Sequence, residues 1–334
     1  MGVDDFRVDE VPAYEPCGEG QHIYLRVEKR DVDGRSLVDA IADHFGVERR
    51  DIGTAGIKDR RAVTRQWVSV PAHKIASSVS PEAGRLDEGI EIVRVARHRN
   101  KLRTGHLDGN RFSVTIRETS VAGDELERAV EAVATAIESR GMANYYGLQR
   151  FGRQNSTLEA GWNWLTTGSA PRRHFMQKMA ASAIQSEIFN RVLRQRLRAG
   201  TWRTVVDGDI FEKTDTGGRF WIDESEREET QRRLDNRAIV VTGPMPGSEQ
   251  GLAEGEAGAV ERRVLDEMGL DPSDFDVFGR RGRGTRRPLT IYPADLAWEV
   301  EDDRRVTLEF RLPAGSYATV LLREFTGEDH VASD

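Results

Sequence analysis

Residues 54–70 read TAGIKDRRAVTRQWVSV. A Gly-containing turn presents Asp59 between Lys58 and the pair Arg60 and Arg61, and a strand is predicted over Gln66–Val70. One carboxylate thus sits among three cations. Opposite charge close by favours the ionised form, so Asp59 is suited to nucleophilic or electrostatic work at neutral pH, and the same cations suit an RNA backbone. Taken alone, such a string equally describes an ordinary surface turn with ion pairs between sequence neighbours.

Outward from this segment, three alternations predict half-buried strands: Ile23, Leu25 and Val27; Phe112, Val114 and Ile116; and Val306, Leu308, Phe310 and Leu312. Helices interrupt them. Ser36 is read as the cap of a helix carrying Leu37, Val38, Ile41 and Phe45 that stops at Gly46, and Leu126, Val130, Val133 and Ile137 line a second that stops at Gly141. A third is expected from about Pro171 to Gly200, with Phe175, Met179, Ile188, Val192 and Leu197 as its core stripe. Because strands and helices do not alternate strictly, a mixed-sheet α+β fold is expected rather than a doubly wound parallel one. The run GPMPGSEQGLAEGEAG from Gly243 to Gly258 reads as an exposed loop. The acid-rich stretches Asp223–Glu229 and Glu249–Glu261 read as solvated outer faces.

A chain of 334 residues accommodates two domains. No run approaches the roughly 18 consecutive apolar residues that a membrane helix requires, so a soluble cytoplasmic protein is expected. Cys17 is the single cysteine, which excludes a disulfide framework and a thiolate zinc site. His22, His44, His73, His98, His106, His174 and His330 show no metal-ligand spacing, no Walker loop occurs, and no Gly-x-Ser-x-Gly elbow is present. The net charge of -7 argues against a nucleic-acid partner, but the 43 Arg against 6 Lys concentrate in 94–111 and 280–287. Arginine suits bidentate phosphate contacts and base stacking, although a GC-rich genome also inflates it.

GIKDRRAVTRQ resembles the catalytic motif of the TruD family of pseudouridine synthases. Four further blocks resemble that family in its order: Asp5 to Pro12 with Gly18 to His22 and Val27 to Lys29; RNKLRTGHLDGNRFSVTIR at 99–117; Asn144 to Gly152; and Leu312 to Thr319 with Arg323 and Glu324. The middle, about 154–283, matches loosely through Asp207-Gly208-Asp209 and Gly243-Pro244. The resemblance implies a discontinuous catalytic domain, 1–153 and 284–334, with a mixed, mainly antiparallel sheet. It implies an inserted α/β TRUD-type domain at 154–283 and an RNA-binding cleft between the two.

The activity implied is isomerisation of a tRNA uridine, position 13 of the D arm or another tRNA or mRNA site, by a monomer without cofactor, metal or nucleotide. Asp59 takes the family's nucleophile position, whether it attacks the sugar C1′ or the base C6, or abstracts a ribose proton. Lys58 and Arg60 are expected to support it. A flipped uracil needs an aromatic or apolar face, for which Tyr146 and Tyr317 occupy the family's positions, and Asn144 is expected to bond the uracil edge or hold the Asp59 loop. Lys29, Arg61, Arg97, Arg99, Lys101 and Arg103 are expected to contact RNA. A non-catalytic tRNA-binding relative is the alternative, which retention of Asp59 disfavours.

Overall fold

The computed structural model describes residues 2–327; His330 and the end of the expected segment 284–334 lie outside the described residues. β1 (Phe6–Pro12) and β2 (His22–Arg30) lead into α1 (Gly34–Phe45). The cap of α1 is Asp33, whose Oδ1 accepts from the amides of Arg35 and Ser36 at 2.8 and 3.0 Å. Ser36, expected as the cap, lies inside the first turn and donates its hydroxyl to Asp33 at 2.6 Å. A carboxylate that only accepts, placed at the positive end of the helix, outcompetes a hydroxyl for the orphan amides. At the far end Gly46 is left-handed (φ 65°), as its position past the last apolar residue predicts.

The chain continues through β3 (Gly53–Thr54), β4 (Val63–Pro71), β5 (Gly84–Asp87), β6 (Ile90–His98), β7 (Leu107–Arg117) and α2 (Gly123–Arg140). β8 (Met142–Ala143), α3 (Ser156–Thr167), α4 (His174–Arg198), β9 (Phe211–Lys213), β10 (Arg219–Phe220) and α5 (Arg227–Asp235) follow. Then come β11 (Ile239–Met245), α6 (Gly255–Glu267), β12 (Thr285–Pro288), β13 (Thr290–Ile291), β14 (Ala294–Asp302), β15 (Arg305–Pro313) and α7 (Ala318–Thr326).

These elements form two compact units. Of the described residues, the first holds 2–140 together with Tyr292–Ala318, and the second holds Gly141–Ile291 together with 319–327. The expected junctions at 153/154 and 283/284 fall inside the second unit, where β8 pairs with β13 through Met142 on Ile291 and Ala143 on Thr290.

The first unit is built on one sheet in the order β14-β15-β7-β1-β4-β2-β6-β5, with β3 also on β4. Only β1 and β4 run parallel, which is the mixed, mainly antiparallel sheet of an α+β fold. Alternate residues sort to opposite faces. On one face Ile23, Leu25, Val27, Val68, Val70 and Ile92 pack with Leu37, Ile41 and Phe45 of α1. On the other, Tyr24 and Trp67 pack with Ala55 and Leu102. Gly53 is required here, because a Cβ would lie 2.3 Å from the Leu102 carbonyl oxygen.

In the second unit α4 begins at His174 and is buried most densely from Ala180 to Leu193. Phe175, expected in its core, is 61% exposed, because the packing against Trp164 of α3 starts a turn later, at Ala180 and Ile184. A sheet in the order β10-β9-β11-β12, antiparallel throughout, packs beside α4. Two further expectations fail in this unit. Gly243 to Met245 are not loop but the buried end of β11, and Gly255 opens α6, so the irregular link is limited to 246–254. Glu261, read as outer surface, is 3% exposed and pairs with buried Arg286 at 2.5 Å, because one buried charge demands another. Asp223–Glu229 is exposed as expected. Among the described residues no helix is long and apolar enough to cross a membrane.

The corrected cap gives an expected outcome. Asp33→Ala costs about 1 kcal/mol in urea unfolding at neutral pH, and Ser36→Ala less than half of that. Hydrogen bonds from the Ser36 hydroxyl and amide hold the Asp33 pKa down to about 2 from 3.8, so the cap's contribution is complete above pH 3.8 and is lost as pH falls towards 2.

Candidate active site

The segment 55–62 leaves β3 and enters β4 at the middle of the first unit's sheet. Its charged side chains go different ways. Lys58 is 6% exposed and turns inward to Glu10 of β1, which is 2% exposed, at 2.9 Å. Glu10 also accepts the main-chain N–H of Trp67 at 3.1 Å, so one buried carboxylate fixes both the loop and the adjoining strand. Asp59 and Arg61 are exposed, and Arg60 stands 3.8 Å from Asp31. Among the three neighbours expected to hold Asp59, Lys58 is therefore committed to Glu10 and Arg60 reaches towards Asp31.

Lys29 corrects a second expectation. It has no exposed surface and cannot reach an RNA phosphate; its Nζ donates to the carbonyls of Val32 at 2.7 Å and Asp59 at 2.5 Å. Period-2 alternation in β2 already hinted at this, since Lys29 shares the inward parity of Ile23, Leu25 and Val27. Glu10 shares the parity of buried Val8 in the same way, a signal the sequence reading did not use.

The basic block lies beside this loop. Leu102 donates its amide to Ser69 Oγ at 3.0 Å and Gly105 donates to the Ala55 carbonyl at 2.9 Å, which pins 99–106 onto the strands flanking Asp59. Arg97, Arg99 and Arg103 are exposed, with Arg97 donating to the Gly20 carbonyl and Arg99 paired with Glu19. Lys101 is half-buried and donates to the Arg50 carbonyl at 2.6 Å. Tyr317 is half-buried just before α7.

The Asn144 to Gly152 block belongs to the second unit. Asn144 is 3% exposed, with Nδ2 donating to the Pro288 carbonyl at 2.9 Å and Oδ1 accepting from Arg287 Nη2 at 2.5 Å. Its amide is thus spent on the β12 neighbourhood, neither on the Asp59 loop nor held out towards solvent. Arg287, so held, lies over the Tyr146 ring at 4.1 Å, and Arg150 approaches the same ring at 5.2 Å. Tyr146 is half-buried, its hydroxyl donating to Met245 Sδ at 2.9 Å. Asn190 accepts from its amide at 2.9 Å and donates to its carbonyl at 3.1 Å.

Beside Tyr146 opens a cavity of about 380 Å³ lined by Tyr145, Leu148, Phe151, Arg194 and Arg323. Burial pushes the Tyr145 phenol above its ordinary pKa, against the pull of Arg194 and Arg323. Aromatic surface with guanidinium groups is the combination that holds nucleotides by stacking and charge. Arg287 was not singled out in the sequence, where it sat in a general arginine cluster, and Arg323 was named there only as part of the C-terminal block.

A family model, tRNA pseudouridine synthase D (TruD), matches residues 1–166 and 171–325. The chain belongs to the TruD family. A tRNA pseudouridine synthase D of Anaeromyxobacter dehalogenans is 41% identical over 98% of this chain and 92% of its own length. One from Thermus thermophilus is 38% identical over 96% of this chain and 86% of its own. The crystal structure of a putative TruD from Methanosarcina mazei superposes with a TM-score of 0.74 at 23% identity, covering 98% of this chain and 93% of that one, which shows the shared fold.

The buried pair under the TruD motif makes a stability prediction. Lys58→Met leaves the buried Glu10 without its ionic partner and lowers unfolding free energy by about 3–5 kcal/mol. Arg61→Met, on the exposed side of the same loop, changes it by less than about 0.5 kcal/mol in the same denaturation series.

Proposed function

We propose that this TruD-family isomerase converts a tRNA uridine, position 13 of the D arm, to pseudouridine with Asp59 as nucleophile. The observation that carries the reading is the Asp59 loop itself. An exposed carboxylate is presented by a segment anchored at two successive residues, through the Lys58 side chain to buried Glu10 and through the Asp59 carbonyl to buried Lys29. Anchoring of that kind holds a reacting group in place, and a mobile surface turn has no need of it.

The reaction breaks the bond from N1 to C1′, turns the uracil, and joins C5 to C1′. The proton leaving C5 is matched by one gained at N1, so the net change is nil and no redox partner enters. Asp59 either adds to C1′ or C6 or takes a ribose proton, each of which a carboxylate can do unaided. The resemblance's aromatic positions are Tyr317, in the first unit with Asp59, which is assigned to the extruded base, and Tyr146 in the second, whose ring lies under Arg287 held by Asn144. Exposed Arg97, Arg99, Arg103 and Arg61 are assigned to the phosphate backbone, and Lys101 to the support of that segment.

Asp59→Asn keeps the shape and removes the charge. On tRNA transcripts mapped for pseudouridine, it is expected to bind with a Kd within about twofold of wild type and to turn over at least about 10³-fold more slowly. Equal turnover by the two proteins ends the assignment, and the modified position names the target. Arg97→Ala and Arg103→Ala each reduce the slope of log K against log salt by about 0.7–0.9 with little effect on the rate of bound complex.

A further inference from the structure

Lys29 is a fully buried ammonium whose hydrogen bonds go to two main-chain carbonyls, those of Val32 and Asp59. Burying a charge is costly, and a hydrophobic residue of the same volume would fill the same space without that cost. A retained buried cation therefore needs a reason, and this one touches the peptide of the proposed nucleophile.

We infer that Lys29 is the positioning residue of the reaction: as an ammonium it fixes the Asp59 peptide and lends it positive charge, and its loss slows turnover without loosening RNA. The inference rests on the function proposed above. The charged groups around the ammonium are Asp59 and Lys58 from the loop before β4 and Asp31 and Asp33 from the segment after β2. The three carboxylates favour the charged form, Lys58 opposes it, and burial outweighs all of them, bringing Lys29 from 10.5 down to about 8. The ammonium therefore titrates within a range in which the protein can be assayed.

A structural pin and a positioning group differ in sign here. With its folded pKa below the unfolded value, Lys29 adds stability as pH rises from about 8 towards 10.5, because the folded chain gives up the proton first. Turnover, if it needs the ammonium, falls over the same interval. Rising stability with falling turnover is the signature of the positioning role.

The test compares wild type and Lys29→Met in single-turnover pseudouridine formation on tRNA from about pH 6 to about pH 10, with tRNA affinity and melting measured alongside. The wild-type rate is expected to fall about tenfold per pH unit beyond 8 while Kd stays level. The Met variant, similar in volume and uncharged, is expected to react at least about tenfold more slowly at neutral pH, with Kd within about twofold and no limb near 8. The chain has only 6 lysines, so carbon-13 labelling of lysine resolves them, and one resonance titrating near 8, absent from Lys29→Met, identifies the group.

A folded Met variant with the wild-type rate and the same limb overturns the inference. So do six lysines that all titrate as ordinary surface ammonium groups. If the Met variant does not fold, the wild-type profile and its lysine titration decide: a limb and a resonance near 8 support it, and a flat profile sinks it. A wild type silent at every pH ends the functional reading and this inference with it, whereas an active wild type with a flat profile ends this inference alone.

Discussion

The orientation of Asp59 depends on one buried ion pair. Glu10 is drawn into the interior by its place on β1, and Lys58 must follow it in, since an unpaired carboxylate at that depth would cost several kcal/mol. With Lys58 committed inward, the next side chain in this irregular segment is left on the exposed side. The same carboxylate takes the amide of Trp67, so β1, the loop and β4 are held to one another by a single group. Which side chain this loop exposes is thus set by electrostatics underneath it.

A chain of net charge -7 and an RNA substrate are reconciled by where the acids lie. Many are spent pairing arginines in place: Glu15 with Arg94, Glu19 with Arg99, Asp295 with Arg111. Exposed pairs of this kind add little stability, because holding two long side chains in one geometry costs entropy. The acid-rich run Asp223–Glu229 lies in the second unit, leading into the first turn of α5 and away from the arginine clusters in sequence. Total charge is a poor guide when the two signs are laid out in separate stretches.

Much of the first unit was legible because its signals are periodic. Val306, Leu308, Phe310 and Leu312 are all buried on β15, and both glycine stops, Gly46 and Gly141, are left-handed. The failures share one cause, which is that composition does not report partners. Glu261 looked like surface until Arg286 came back from 25 residues downstream, and Gly243 looked like loop because glycine and proline suit turns, though here glycine makes room for Phe189 and Leu289. At the candidate site, Asp59 was legible through its motif. Lys29 was expected to contact RNA, since a cation near an RNA enzyme's loop suggests phosphate, and only its burial shows that it faces the protein instead.

Asn190 carries a consequence of its own. Through one carboxamide it supplies both the donor and the acceptor that a neighbouring strand would offer Tyr146, so a helix residue imitates a strand edge. The imitation ties the register of 144–147 to the rotation of α4 about its axis. A sequence change that turned α4 would have to break this pair of hydrogen bonds or carry the Tyr146 backbone with it, besides disturbing a close-packed stretch. The interior of α4 is thereby coupled to the placement of a loop that belongs to no regular element.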